Sequence, residues 1–264
     1  TDYVSVHTVV GESGQGLAMI EKEAVETETT GRAFAATLFE AKAISRLAKE
    51  AGKTYGIGAI VLTHGETDSG SSRYGEGIVK LWSDYNEDLL PITGQEKPIP
   101  MLVSQQHAFP ENVGSRSVAT QAQWEIGLDY PGEIICVGPK YQYDGHGDAI
   151  HLSPLGYRQY GEKLGQIYYE KIVRGRDWRP LEPLKATKNG NTITVHFHVP
   201  VPPMVWDDTM SAPHQLELTE WAEGKGFEVR DNSQRVVINT VEIVDETVII
   251  TCDKELTSDT VEVA

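Results

Sequence analysis

The apolar residues of this chain change period once, near residue 180, and that switch limits the fold more than any motif does. Up to about residue 173, short apolar runs alternate with segments whose apolar residues recur three and four positions apart. From 184 to 264 they recur at every second position, as in T-I-T-V-H-F-H-V and T-V-I-I-T-C. Alternating strand and helix signals specify a parallel sheet covered by helices. Uninterrupted period two, punctuated by turn signals such as Asn189-Gly190, specifies antiparallel strands. The expected fold class is therefore α/β: a three-layer parallel-sheet domain over 1–180, then a small sandwich-like all-β domain over 184–264.

Within the first part, strands are expected at 3–10 (Y-V-S-V-H-T-V-V), 57–63 (I-G-A-I-V-L-T), 100–104 and 133–137. Helices are expected at 31–51, 74–90, 115–127 and 154–173. The first carries Phe34, Leu38, Ala41, Ile44 and Ala48 on one face and stops at Gly52; the last carries Tyr160, Leu164, Ile167 and Ile172.

Sites in open parallel sheets form outside the C-terminal ends of the strands. Three polar strings fall there. His64-Gly65-Glu66-Thr67-Asp68 follows the second strand signal, and Gln105-Gln106-His107 follows the third. Asp148 and His151, as D-A-I-H, follow the fourth in a glycine-rich loop. A carboxylate three residues before a histidine can hold the imidazole in one tautomer and orient it as a general base. Ser153 and Pro154 suit the N-cap and first position of the helix that follows, which would fix the loop. Tyr141, Gln142 and Tyr143 precede this loop and are candidates to line a pocket.

Other readings of the same residues stand beside this one. His146, Asp148 and His151 with His64, Glu66 and Asp68 have the chemistry of a zinc or manganese site. A plainer reading of Asp148 and His151 is a turn-capping Asp and an internally bonded His. His196 and His198 share one strand face, and Trp82, Trp124, Trp178 and Trp206 could stack on sugars; packing is the plainer account of each.

The charge balance excludes two partner classes. With 39 acidic and 23 basic residues the net charge is −16, the wrong sign for nucleic acid or anionic membranes. No apolar run approaches the roughly 18 residues of a membrane span. Cys136 and Cys252 lie in apolar runs of different predicted domains and read as buried thiols rather than a bridge. The chain opens at Thr1 close to strand-like sequence and ends in it, so further polypeptide at one or both ends is expected.

Three strings together resemble the SGNH (GDSL-type) hydrolases, in the carbohydrate-esterase branch related to sialate O-acetylesterases. D-A-I-H-L-S-P-L-G-Y is similar to that family's last block, and H-G-E-T-D to the (H/Q)-G-E-(S/T)-(D/N) string of its third. V-S-V-H-T-V-V-G-E-S-G-Q-G resembles the second block; the likeness spans roughly residues 3–173. The resemblance implies a cofactor-free serine esterase acting on an acylated, chiefly acetylated, carbohydrate in an extracellular bacterial or phage-related setting. His151 would be the base and Asp148 its orienting partner. Gly14, His64, Gly65 and Thr67 would form the oxyanion and substrate side, with Glu66 and Asp68 bracing their loop. Thr67 departs from the asparagine of the broader superfamily.

The nucleophile is the open term. Ser13, in G-E-S, is the only early candidate. Between it and Ile57 there is helix but no strand signal, so 3–10 reads as the second strand. The nucleophile block would then lie on a segment preceding Thr1 or on a companion chain. Two rival functions remain: a metal-dependent hydrolase, and a non-catalytic carbohydrate-binding or structural protein on an esterase scaffold.

Overall fold

The computed structural model describes residues 4–106, 117–145, 150–207, 209 and 222–264. Helix α1 (Ala33–Glu50) buries Ala33, Phe34 and Ala41. It ends as its sequence requires: Gly52 takes φ +67°, and the Lys53 N–H returns to the Ala48 carbonyl at 2.8 Å. Helix α2 (Tyr74–Thr93) buries Ile78, Leu81, Tyr85 and Leu89 at helical spacing and stops at Gly94 in the left-handed region. Helix α3 (Val118–Asp129) starts at Ser117, whose side chain accepts from the Thr120 N–H. Helix α4 (Pro154–Tyr168) runs on into a π turn, Tyr169–Val173.

Strands β1 (Ile60–Leu62), β2 (Met101–Gln105) and β3 (Ile134–Pro139) form a parallel sheet in the order β1-β2-β3. The register sets Ile60 opposite Met101 and Met101 opposite Ile134. One face, with Met101, Val103, Ile134 and Cys136, shares a core with Phe34 and Ala41 of α1, Ile78 and Leu89 of α2, and Ile126 of α3. Asn86 secures the entry to β2 by accepting from the Ile99 N–H at 2.7 Å and donating to the Ile99 carbonyl at 3.1 Å. Such pairing matters because a buried backbone group left unmade costs more than the bond contributes.

Two expected strands differ. Residues 4–10, inside the expected strand 3–10, form none and are mostly exposed, Val9 at 94%. Alternation of β-branched residues makes a segment competent for a sheet, but only a ladder partner makes it a strand. No described segment pairs with it. The second is the 57–63 signal, which becomes strand only at Ile60–Leu62. The Gln95 side chain takes the place of a neighbouring strand at Ile57, accepting from its N–H at 2.9 Å and donating to its carbonyl at 3.2 Å.

From Glu182 onward the described strands are antiparallel. They are β4 (Glu182–Asn189), β5 (Thr192–His198), β6 (Val229–Asp231), β7 (Gln234–Val236), β8 (Ile238–Val244), β9 (Thr247–Cys252) and β10 (Val261–Val263). They make two sheets, β4-β5-β9-β8 and β10-β6-β7. Ile193, Val195, Val248, Ile250 and Cys252 of the first share one core with Val229 and Val236 of the second, a sandwich-like arrangement. The turn at Asn189-Gly190 joins β4 to β5, with Gly190 at φ +60°.

The chain forms two compact units, Thr1–Lys140 with Gln166–Gly175, and Tyr141–Gly165 with Arg176–Ala264. The first holds the parallel sheet and the second the antiparallel ones, with residues 141–165 clustering in the second. Neither cysteine forms a disulfide; Cys136 is buried in the first unit and Cys252 in the second. No described helix is long and apolar enough to cross a membrane.

Candidate active site

The H-G-E-T-D string leaves the C-terminal end of β1 and folds against the Gly14–Leu17 loop, fifty residues earlier, through three hydrogen bonds. Thr67 Oγ1 donates to the Gly14 carbonyl at 3.2 Å. His64 Nε2 meets the Gln15 carbonyl at 2.9 Å. The Leu17 N–H donates to Asp68 Oδ2 at 2.7 Å. Residues 64, 67 and 68 thus hold 14, 15 and 17 in register at the end of the sheet where parallel-sheet sites form.

The partners of His64 fix its protonation. A carbonyl can only accept, so Nε2 carries the proton and donates to Gln15. Nδ1 then accepts from the Tyr74 hydroxyl at 2.9 Å. The ring is buried, and burial pushes its pKa below the usual imidazole value, against the opposing pull of the Gln15 carbonyl and Asp68. His64 is a neutral pin between two loops with both ring nitrogens engaged. Tyr74, also buried, has its hydroxyl pushed far up by desolvation and keeps its proton.

Under this pin lies a layer of buried amides. Gln123 of α3 donates to the His64 carbonyl at 2.7 Å and accepts from the Gln106 N–H at 2.8 Å. It joins the loop after β1 to the loop after β2. Gly65 sits on this layer at φ +126°. A Cβ there would stand 2.9 Å from Gln123 Nε2 and 3.0 Å from the Tyr74 hydroxyl, so only glycine fits.

Glu66 turns the other way and pairs with Lys140 at 2.6 Å, the lysine side chain 4% exposed and the glutamate 25%. Lys140 follows β3, and its N–H donates to the Gln105 carbonyl at 3.1 Å. The ends of all three parallel strands are therefore tied together by side chains. Glu12 braces the start of α1: its carboxylate accepts from the Gly31 N–H at 2.8 Å and the Arg32 N–H at 2.6 Å. Desolvation raises its pKa, but the N–H groups of Arg32, Gly31 and Ala33 together outweigh this and hold it below the ordinary carboxylate value. Between these braces Ser13 and Gly14 are exposed, with Gly14 at φ +69°.

The other expected half belongs to the second unit. Asp148 and His146 lie outside the described residues. His151 is exposed on a loop closed at its base. There Ser153 Oγ donates to the Asp144 carboxylate and the Ser153 N–H donates to the Asp144 carbonyl at 2.9 Å. Gly145 and Leu152 form an isolated β-bridge. Ser153 Oγ also accepts from the Gly156 N–H at 3.1 Å, the cap its sequence position requires. A Cβ on Gly156 would collide with the Asp144 carbonyl. Tyr143 is buried against Tyr160, ring centroids 5.8 Å apart, whereas Tyr141 is exposed.

So the structure gathers Ser13, Gly14, His64, Gly65, Glu66, Thr67 and Asp68 in one unit and sets His151 in the other. Of the alternative metal ligands, His64, Glu66 and Asp68 are each engaged with protein partners. Among the described residues no cluster of three or more His, Cys, Asp or Glu could hold a metal ion. Tyr74, Gln123, Lys140 and Asp144 were not singled out from the sequence. The faint signals were a lysine directly after the apolar run I-I-C-V-G-P and a glutamine on the buried face of a helix.

No family model matches the chain, and no curated protein matches it. Among solved structures, its fold is similar to that of a carbohydrate acetylesterase from Xanthomonas citri, with a TM-score of 0.51 at 14% identity. The match covers 78% of this chain and 44% of that one, so the matched region spans less than half of the protein it resembles in fold.

Proposed function

We propose that this chain is part of a cofactor-free serine esterase of the SGNH type, which removes acyl groups, chiefly acetyl, from a carbohydrate. The observation that carries this reading is the three-bond clamp between H-G-E-T-D and the Gly14–Leu17 loop. It leaves Gly14 exposed at the end of a parallel sheet while His64, Thr67 and Asp68 do the holding. A rigid loop with exposed backbone N–H groups suits a developing oxyanion, and one such donor is worth on the order of 3 kcal/mol. The likeness in fold to a carbohydrate acetylesterase supports the same class.

In this reading His151, oriented by Asp148, takes the proton of a serine hydroxyl as its oxygen attacks the ester carbonyl. The tetrahedral oxyanion rests on the Gly14 N–H and the Gly65–Thr67 turn. Collapse expels the sugar oxygen, which leaves with the proton from His151, and an acyl-enzyme remains. Water, deprotonated by His151, then releases the carboxylic acid and restores the serine. His64 acts here as a positioning residue, because both its nitrogens serve the loops. The serine is assigned to polypeptide outside these 264 residues; Ser13 is the alternative within them.

A fluorophosphonate probe on the intact native protein tests this. Labelling of a serine outside residues 1–264, with deacetylation of acetylated glycans that survives chelator, is the expected result. Labelling at Ser13 overturns the external nucleophile. Absence of labelling alongside glycan binding overturns the esterase reading and favours a binding protein. Loss of activity on chelation favours metal-dependent hydrolysis.

A further inference from the structure

We propose that the second unit carries a binding site for an uncharged polysaccharide chain, formed by the outward face of its four-stranded sheet and the cleft beside the β8–β9 turn. The registers fix what that face presents. Val195, Val248, Ile250 and Val241 lie in the core, so the residues alternating with them point outward. Asn189, Thr192, Thr251 and Thr240 form one row across all four strands. Thr187 and Thr194 begin the next, beside Ile249 and Glu242. Lys185, His196, Thr247 and Val244 form the third. Every one of these residues is exposed or half-buried. With strands about 4.8 Å apart and like-facing residues about 6.8 Å apart, the face measures roughly 14 Å each way.

Its composition departs from that of the chain. The protein carries a net charge of −16, yet the only carboxylate in the three rows is Glu242 on one outer strand, set against Lys185 on the other. What remains is chiefly hydroxyl. A threonine hydroxyl both donates and accepts, as a sugar hydroxyl does, and its β-branched side chain is already restricted at χ1. The third row opens into a cleft of about 640 Å³, within the roughly 300–1,000 Å³ of small-ligand sites. Pro202, Pro203 and Val244 give the cleft an apolar wall, and Asp245 and Glu246 of the turn add carboxylates. Such a wall packs the C–H face of a pyranose, while the carboxylates accept charge-assisted hydrogen bonds from its hydroxyls. The turn is preformed: the Phe197 N–H donates to the Glu246 carbonyl at 2.9 Å, and Thr247 Oγ1 donates to the Val244 carbonyl at 2.7 Å.

Charge selects the occupant. A polyanion is repelled by the turn carboxylates and by the net charge of the whole chain. A polycation is drawn to the carboxylates elsewhere rather than to a face where Lys185 opposes it. A second copy brings another sixteen negative charges and, apart from Ile249 and Val244, little apolar area to bury. An uncharged, hydroxylated chain meets none of these costs. The choice of a glycan rests on the esterase reading; the face and the cleft do not.

Affinity electrophoresis of the intact protein through gels holding chemically deacetylated glucomannan, xylan or galactan measures binding without chemistry. Retardation by at least one of them, and none by alginate, is the expected result. Asp245→Asn with Glu246→Gln keeps the shape of the turn, because asparagine tolerates the left-handed backbone of Asp245 at φ +54°. Loss of the charged acceptors is expected to weaken retention about tenfold or more. Thr192→Val with Thr251→Val keeps the β-branch and removes two facing hydroxyls, for a loss of about threefold or more. If one double variant fails to fold, the other decides. Retention on none of the neutral gels overturns the proposal, as does retention that the variants leave unchanged. Retention on alginate alone overturns the uncharged ligand. A dimer in sedimentation that Thr192→Val with Thr251→Val dissociates assigns the face to a second copy and overturns it too. Deacetylation of acetylated glucomannan is scored apart. Binding without it supports this site and counts against the esterase; deacetylation without binding does the reverse.

Discussion

Gly65 and His64 show how narrowly single residues are determined in this site. Gly65 combines φ +126° with a would-be Cβ 2.9 Å from Gln123 Nε2. Gly65→Ala adds backbone strain and forces the buried amide layer apart, together about 2–4 kcal/mol. Urea unfolding should show that loss, with the midpoint falling and the slope unchanged. His64 makes a pH prediction. Its folded pKa lies below the ordinary 6.5 because it is buried. As pH falls through about 6.5, the unfolded chain takes up a proton that the folded one refuses, so stability falls with acidification. The lost stability returns as pH rises back through 6.5. His64→Gln keeps a side-chain donor and cannot titrate. The wild-type-minus-variant difference in unfolding free energy should therefore slope upward with pH below 6.5, at up to about 1.4 kcal/mol per unit, and flatten above. A flat difference across that range would show that His64 titrates freely in the fold.

At the scale of elements, the parallel strands are joined beyond their ladders by side chains at their C-terminal ends, and Lys140 is the farthest-reaching of these. It pairs with Glu66 across 74 residues of sequence. Lys140→Met leaves a partly buried carboxylate without its cation; with Glu66 a quarter exposed, the cost is about 2 kcal/mol. Adding Glu66→Gln removes the orphaned charge and should restore about half of it. A double variant no more stable than Lys140→Met would mean that the pair is screened by solvent. These ties also mark where sequence reading stops. Helices α1 to α4 and strands β2 and β3 were legible because period and caps are local properties. The H-G-E-T-D string was legible as a candidate site because its residue types and its place after a strand are local too. Gln123 on His64, 59 residues apart, and Lys140 on Glu66 were not, since each is ordinary in its own surroundings. Residues 4–10 erred in the opposite direction: their β-branched residues alternate, but no described strand pairs with them, and no local pattern encodes a partner.

For the molecule as a whole, the governing quantity is charge. Thirty-nine acidic residues against twenty-three basic ones leave sixteen negative charges without a counterpart on a 264-residue chain. Ion pairs such as Arg46–Glu50, Arg73–Glu76 and Lys80–Glu23 lie on the surface with well-exposed side chains. Each contributes about 0.2–1 kcal/mol at most, and salt weakens it. Salt also weakens the mutual repulsion of the unpaired carboxylates, which acts across the whole surface once the Debye length approaches 30 Å at low ionic strength. The two effects oppose each other. The repulsion should win, because acidic residues outnumber basic ones by sixteen and the excess repels over every separation within that length. Melting temperature should therefore rise by several degrees between about 0.01 and 0.15 M sodium chloride, where the Debye length shrinks to about 8 Å, and level off above. Calorimetry across that series checks it, and sodium chloride is the suitable salt because it changes apolar hydration little at these concentrations. A falling melting temperature would mean that the surface pairs outweigh the excess charge.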